Sequence, residues 1–180
     1  MSHQFAGSRL SPSITAHWNS NEVSSWGLAL HVPAVVASES LSVLNPDHDD
    51  QQELIEAPID LVPYFTEGML LQCDIEGEDE TNYFVNCATR LDDGEAACMA
   101  VAKNRQWLLA TDDRLATNLA GQQGVTVLTT AELLKRWAVN TRASATQINL
   151  ALTNIHRFAK FIPRSNSSEA GWWLNHLQGA

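Results

Sequence analysis

Three acidic side chains, Glu95, Asp112 and Asp113, stand where residue type and spacing point to chemistry. Glu95 follows Gly94 at the start of a helix-patterned stretch, and the aspartate pair follows the continuous apolar run Trp107-Leu108-Leu109-Ala110. Carboxylates are hard oxygen donors, and a crevice gathering these three would suit Mg²⁺ or Mn²⁺, with coordinated waters kept for a substrate phosphate. Such an ion can generate a hydroxide nucleophile and stabilise in-line phosphodiester cleavage. A plainer use competes. Glu95 lies three residues after Asp92, the spacing of a capping box. Asp112 suits a helix N-cap, with Asp113 favourable to the first-turn dipole. A Thr-Asp-Asp turn alone is a weak signal. The pairing of Gly94-Glu95-Ala96 with Thr111-Asp112-Asp113-Arg114, across a helix and a strand, is more specific.

The elements that must hold these residues are legible as alternating patterns. Residues 27–32 (GLALHV) read as a short buried strand, and Pro33 opens a helix running to about residue 44. Residues 45–57 form a charged connection. Asp60 caps a short helix to Phe65 that Gly68 ends, and residues 69–75 read as a strand. Residues 80–91 and then 94–104 read as helices, the first carrying Tyr83, Phe84, Cys87, Ala88 and Leu91 at helical spacing. Residues 106–110 form a strand apolar on both faces. A helix over 113–120 is stopped by Gly121, and residues 125–128 form the next strand. Thr129 with Glu132 starts another helix as a capping box, as does Ser144 with Gln147 for a last helix to about Phe161. Its stripe of Ile148, Leu152, Ile155, Ala159 and Ile162 must pack on the body or on a second copy. Alternating strands and helices imply parallel pairing with right-handed crossovers, hence an α/β fold with a doubly wound, mainly parallel central sheet.

Composition sets the outer limits. A chain of 180 residues with 44% hydrophobic content fits one globular domain with an appendage and excludes wholesale disorder. Cys73, Cys87 and Cys98 show no metal-type spacing and read as reduced, buried thiols. No apolar run approaches the roughly 20 residues needed to cross a bilayer. No basic start leads into an apolar stretch, so the expectation is a cytoplasmic protein without a signal peptide. The net charge of −10 argues against broad attraction to nucleic acid. That charge is uneven. Residues 1–134 hold five basic against twenty acidic side chains, whereas residues 135–180 hold Lys135, Arg136, Arg142, Arg157, Lys160 and Arg164 against Glu169 alone. The basic tail therefore reads either as a solvated helix face or as a segment with its own task.

Residues 91–139, from Leu91-Asp92-Asp93-Gly94-Glu95-Ala96 through Thr111-Asp112-Asp113-Arg114, resemble the C-terminal half of PIN-domain proteins. His31-Val32-Pro33-Ala34-Val35-Val36 through Glu39 resembles that family's segment entering its second helix. Phe161-Ile162-Pro163 and Trp172-Trp173 resemble the C-terminal extension of one bacterial subgroup. The resemblance implies a three-layer α/β/α fold over residues 1–139, with 1–26 poorly defined, and a basic helical extension over 140–180. It implies a metal-dependent ribonuclease, many such proteins being toxins of toxin–antitoxin pairs. Glu95, Asp112 and Asp113 are then the Mg²⁺ or Mn²⁺ ligands, Asp113 facing the ion. RNA is the implied substrate, with an antitoxin protein or a second copy as partner. One departure stands out: the family's first-strand aspartate falls on Ser11, in a strand expected over about residues 5–10. Losing a carboxylate there lowers metal affinity, which supports the alternative of a catalytically degenerate fold kept as a binding or assembly module. A receiver-like phosphoacceptor also suits an aspartate pair after a strand. It wants a lysine after the later strand, where Thr129 and Thr130 stand.

Overall fold

The computed structural model describes residues 14–17, 28–38, 42–46 and 54–178. They form a mixed α/β structure. Its main sheet has five strands in the order β5-β2-β1-β6-β7: β1 is Ile14–His17, β2 Ala29–Pro33, β5 Leu71–Cys73, β6 Leu108–Ala110 and β7 Val127–Leu128. β2 pairs parallel with β5, and β6 pairs parallel with β7, Leu109 opposite Val127 and Ala110 opposite Leu128. β1 runs antiparallel to both its neighbours, β2 and β6. Four strands thus share one direction and β1 alone opposes it, so both antiparallel pairings of this sheet run through β1. The connection explains the reversal. Eleven residues separate His17 from Ala29, and parallel neighbours need a crossover of a dozen or more.

A strand at residues 5–10 and the position of Ser11 lie outside the described residues. β1 begins with Ile14 opposite Ala110, at the carboxyl end of β6. Residues 42–58 hold a correction. The expected helix ends early, as α1 (Ala34–Ser38), and the charged connection is flanked by an antiparallel pair, β3 (Ser42–Pro46) with β4 (Leu54–Pro58).

The helices α2 (Val62–Thr66), α3 (Gly77–Cys87), α4 (Asp93–Arg105), α5 (Arg114–Gln123) and α6 (Thr130–Asn140) fill in the rest of the body. α4 is buried along its whole middle, Ala96 through Ala102. These small side chains let it lie close to α3 and the sheet, so it is the spine of the main cluster with Val32, Val36, Leu109 and Leu119. Adjacent residues of β6 face opposite ways: Leu109 joins that cluster, and Leu108 packs with Leu28, Leu30, Leu128 and Leu133. α5 runs past Gly121 and ends at Gly124, whose φ of 70° supplies the left-handed cap.

α6 carries the tail. Its Leu133 meets the sheet, while Ala131, Leu134 and Ala138 pack with Ile148 and Leu152 of α7 (Ala145–Asn154) and Trp173 of α8 (Ala170–Leu177). Both capping boxes, Thr129 with Glu132 and Ser144 with Gln147, are present. The apolar stripe therefore packs on the body through Ile148, Leu152 and Ile155. It does not continue, because the helix loosens to a π turn at Ile155–Ala159 and leaves Ile162 exposed. Trp173 is fully buried there. Among the described residues no helix is long and apolar enough to cross a membrane, and Cys73, Cys87 and Cys98 are buried free thiols.

Candidate functional site

Asp112 and Asp113 follow the carboxyl end of β6, and Glu95 lies in the first turn of α4, the helix that precedes that strand. α4 turns at Gln106, in the left-handed region at φ 57°, where the Trp107 amide donates to the Ala102 carbonyl at 2.9 Å. α4 then packs back along β6. Eleven helical residues return from Gln106 to Glu95, about 16 Å, and five extended residues run from Trp107 to Asp112, also about 16 Å. The two runs match in length, and Asp112 and Asp113 lie just past the carboxyl end of β6, where ligands of open α/β sheets bind.

Local geometry gives each acid a distinct task. Asp92 caps α4, its Oδ1 accepting from the Glu95 amide at 2.8 Å, so Glu95 occupies the third helical position with its side chain half-buried. Asp113, not Asp112, caps α5, its Oδ1 accepting from the Ala116 amide at 2.7 Å. This reverses the capping order read from the sequence. The cap uses one oxygen and does not consume the other. Asp112 instead bridges to the next strand–helix unit. Its carboxylate accepts from the Thr130 amide at 3.2 Å and from the Thr130 hydroxyl. The Arg164 guanidinium, arriving from the tail, donates to the Asp112 carbonyl at 3.2 Å.

Mutual repulsion among the three acids would raise their pKa values. The Asp112 carboxyl is raised, but burial is the largest cause; both Thr130 bonds and the Arg164 charge act downward, and the carboxylate adding to the rise is Glu132. Among the described residues, no three of His, Cys, Asp and Glu come together as a group able to hold a metal ion. The donor chemistry fits a hard divalent ion, and Mg²⁺ is commonly held through one or two carboxylates with the rest of its shell from water and phosphate. Glu95 and Asp113 are the pair that would hold it, with Asp112 tied to Thr130.

A second polar centre escaped the sequence reading. Glu80 of α3 is buried and accepts from Arg105 Nε at 2.7 Å, Arg105 Nη2 at 2.9 Å and the Glu76 amide at 2.7 Å. Arg105 also donates to the Asp74 carbonyl at 2.7 Å and lies 5.1 Å from the centre of the Trp107 ring, which stacks on His31. A signal existed. Glu80 shares a helical stripe with Tyr83, Phe84 and Cys87, and an acid on an apolar face requires a partner.

Comparison with known proteins finds no matching family model, no matching curated protein and no matching solved structure.

Proposed function

We propose that the chain is a divalent-metal-dependent endoribonuclease of the PIN-domain type, on a three-layer α/β/α body with a C-terminal helical extension. What supports this reading is the order of the segments: Glu95 in the first turn of α4, and Asp112-Asp113 just past the carboxyl end of β6 beside its parallel partner β7. The five-strand order and the burial of β6 on both faces support the layered body. Glu95 and Asp113 hold the ion, and Asp112, fixed by Thr130, orients the turn that carries Asp113. When bound, the ion supplies Lewis acidity at a phosphodiester.

A second reading rests on its own observation. Asp112 and Asp113 each spend oxygen on their own fold, on Thr130 and on the Ala116 amide. A PIN-like body kept as a binding or assembly module needs nothing more from them. Incubation of the full chain with labelled single-stranded RNA and Mn²⁺ separates the two. The nuclease reading expects cleavage that EDTA stops and that Glu95→Gln lowers at least about a hundredfold, the scale of losing one group that stabilises the transition state. No cleavage above the EDTA control favours the module.

A further inference from the structure

The tail is basic, and the fold brings one of its cations to the turn that carries Asp112 and Asp113. Lys135 is paired with Glu169 at 3.6 Å, and Arg157 lies over the Phe158 ring at 5.3 Å. Arg164 instead crosses 52 positions of sequence to reach Asp112. Its placement is built in. Lys160 turns the chain in the left-handed region at φ 52°, and the Ser167 amide donates to the Arg164 carbonyl at 2.9 Å in a tight turn. On either side of that turn Phe161 and Trp173 meet edge to face at 5.3 Å, in the cluster that holds the tail to α6.

Arg164 is exposed, and its anchor is a neutral carbonyl rather than a carboxylate. Its positive charge is therefore not cancelled by a direct ion pair in that bond. A guanidinium carries five N–H donors in a rigid fork matched to phosphate oxygens, and this bond uses a single nitrogen, Nη2. We propose that Arg164 is the phosphate-binding residue of the candidate site, gripping a backbone phosphodiester of single-stranded RNA at the Asp112-Asp113 turn. This rests on the ribonuclease reading above. It adds that the C-terminal extension is part of the substrate site, supplying the attraction that the acidic body lacks.

The test is binding without metal. The full chain in EDTA is titrated into fluorescein-labelled single-stranded RNA and followed by anisotropy at several salt concentrations. Arg164→Gln should weaken binding about fivefold and lower the salt slope by about 0.7, the share of one phosphate contact on a single strand. Arg164→Lys should keep the salt slope while binding less tightly, since it retains charge without the fork. Arg142→Gln, a cation just past the far end of α6, the helix that starts at Thr130, should bind as the native chain does. A native chain that does not hold the RNA, or an Arg164→Gln chain that holds it as tightly with the same salt slope, overturns the proposal. A parallel Mn²⁺ titration keeps the two ideas apart. RNA binding that depends on Arg164 with no metal uptake defeats the nuclease reading alone; metal-dependent cleavage unaffected by Arg164→Gln defeats this proposal alone.

Discussion

Glu80 and Asp112 are the same kind of group taken out of water in two places, and they end with opposite proton affinities. Burial pushes both carboxyls up. At Glu80 the push is overcome by hydrogen bonds from Arg105 and the Glu76 amide and by the Arg105 charge, so its pKa lies below the ordinary value of 4.5. At Asp112 the neutral Thr130 donors and a more distant Arg164 do not overcome it, and the carboxyl stays raised. The full positive charge in direct contact decides the outcome. One site is a staple that joins α3 to the end of α4. The other is a carboxyl held short of full compensation between the end of β6 and the start of α6, and perturbed groups of this kind often serve function.

The largest expected break of this comparison comes from the staple. Arg105→Ala leaves Glu80 buried without its cation and removes the contacts to the Asp74 carbonyl and the Trp107 ring. Urea unfolding should show a loss of about 3 kcal/mol. A loss under about 1 kcal/mol would place the pair among ordinary surface ion pairs.

The next effect is read against pH. A depressed pKa contributes stability that is present above the unfolded value and is lost as pH falls through the folded one. The native chain should therefore lose stability below about pH 4.5. Glu80→Gln, unable to ionise, should be less stable at neutral pH and flatter across that window. A Glu80→Gln chain with the native acid profile would show that other carboxylates dominate it.

The smallest effect belongs to the Asp112–Thr130 contact. Thr130→Val removes the hydroxyl donor to Asp112 and keeps the amide. Unfolding should lose about 1–2 kcal/mol, and the Asp112 carboxyl, followed by carbon NMR, should titrate higher than in the native chain. An unmoved titration would mean that the hydroxyl bond is not made in solution.

The sequence shows clearly what is local in this fold. Thr129 with Glu132 and Ser144 with Gln147 are readable because a capping box lies within four residues. Strands β6 and β7 are readable because a run apolar on both faces has few other uses. The exchange of roles between Asp112 and Asp113 is not readable. Either can cap α5, and the choice is made by Thr130, 18 positions away. The Glu80–Arg105 pair spans 25 positions, and only the misplaced acid on an apolar stripe hints at it. The direction of β1 follows from the length of its connection to β2, which the weak pattern of the first 26 residues hides. Gly121 looked like a helix stop, yet Leu119 and Ala120 are buried and carry α5 on to Gly124.

The central proposal is that Glu95 and Asp113 together hold a divalent metal ion past the carboxyl end of β6. Calorimetric titration of the full chain with Mn²⁺ tests it most directly, using the native protein, Glu95→Gln and Asp113→Asn. The account predicts one saturable site in the native chain, weakened at least about tenfold in each variant, equal to about 1.4 kcal/mol. Glu80→Gln, whose carboxylate serves the staple, should bind Mn²⁺ as the native chain does. Heat of dilution alone in the native chain, or uptake that survives both substitutions, contradicts it.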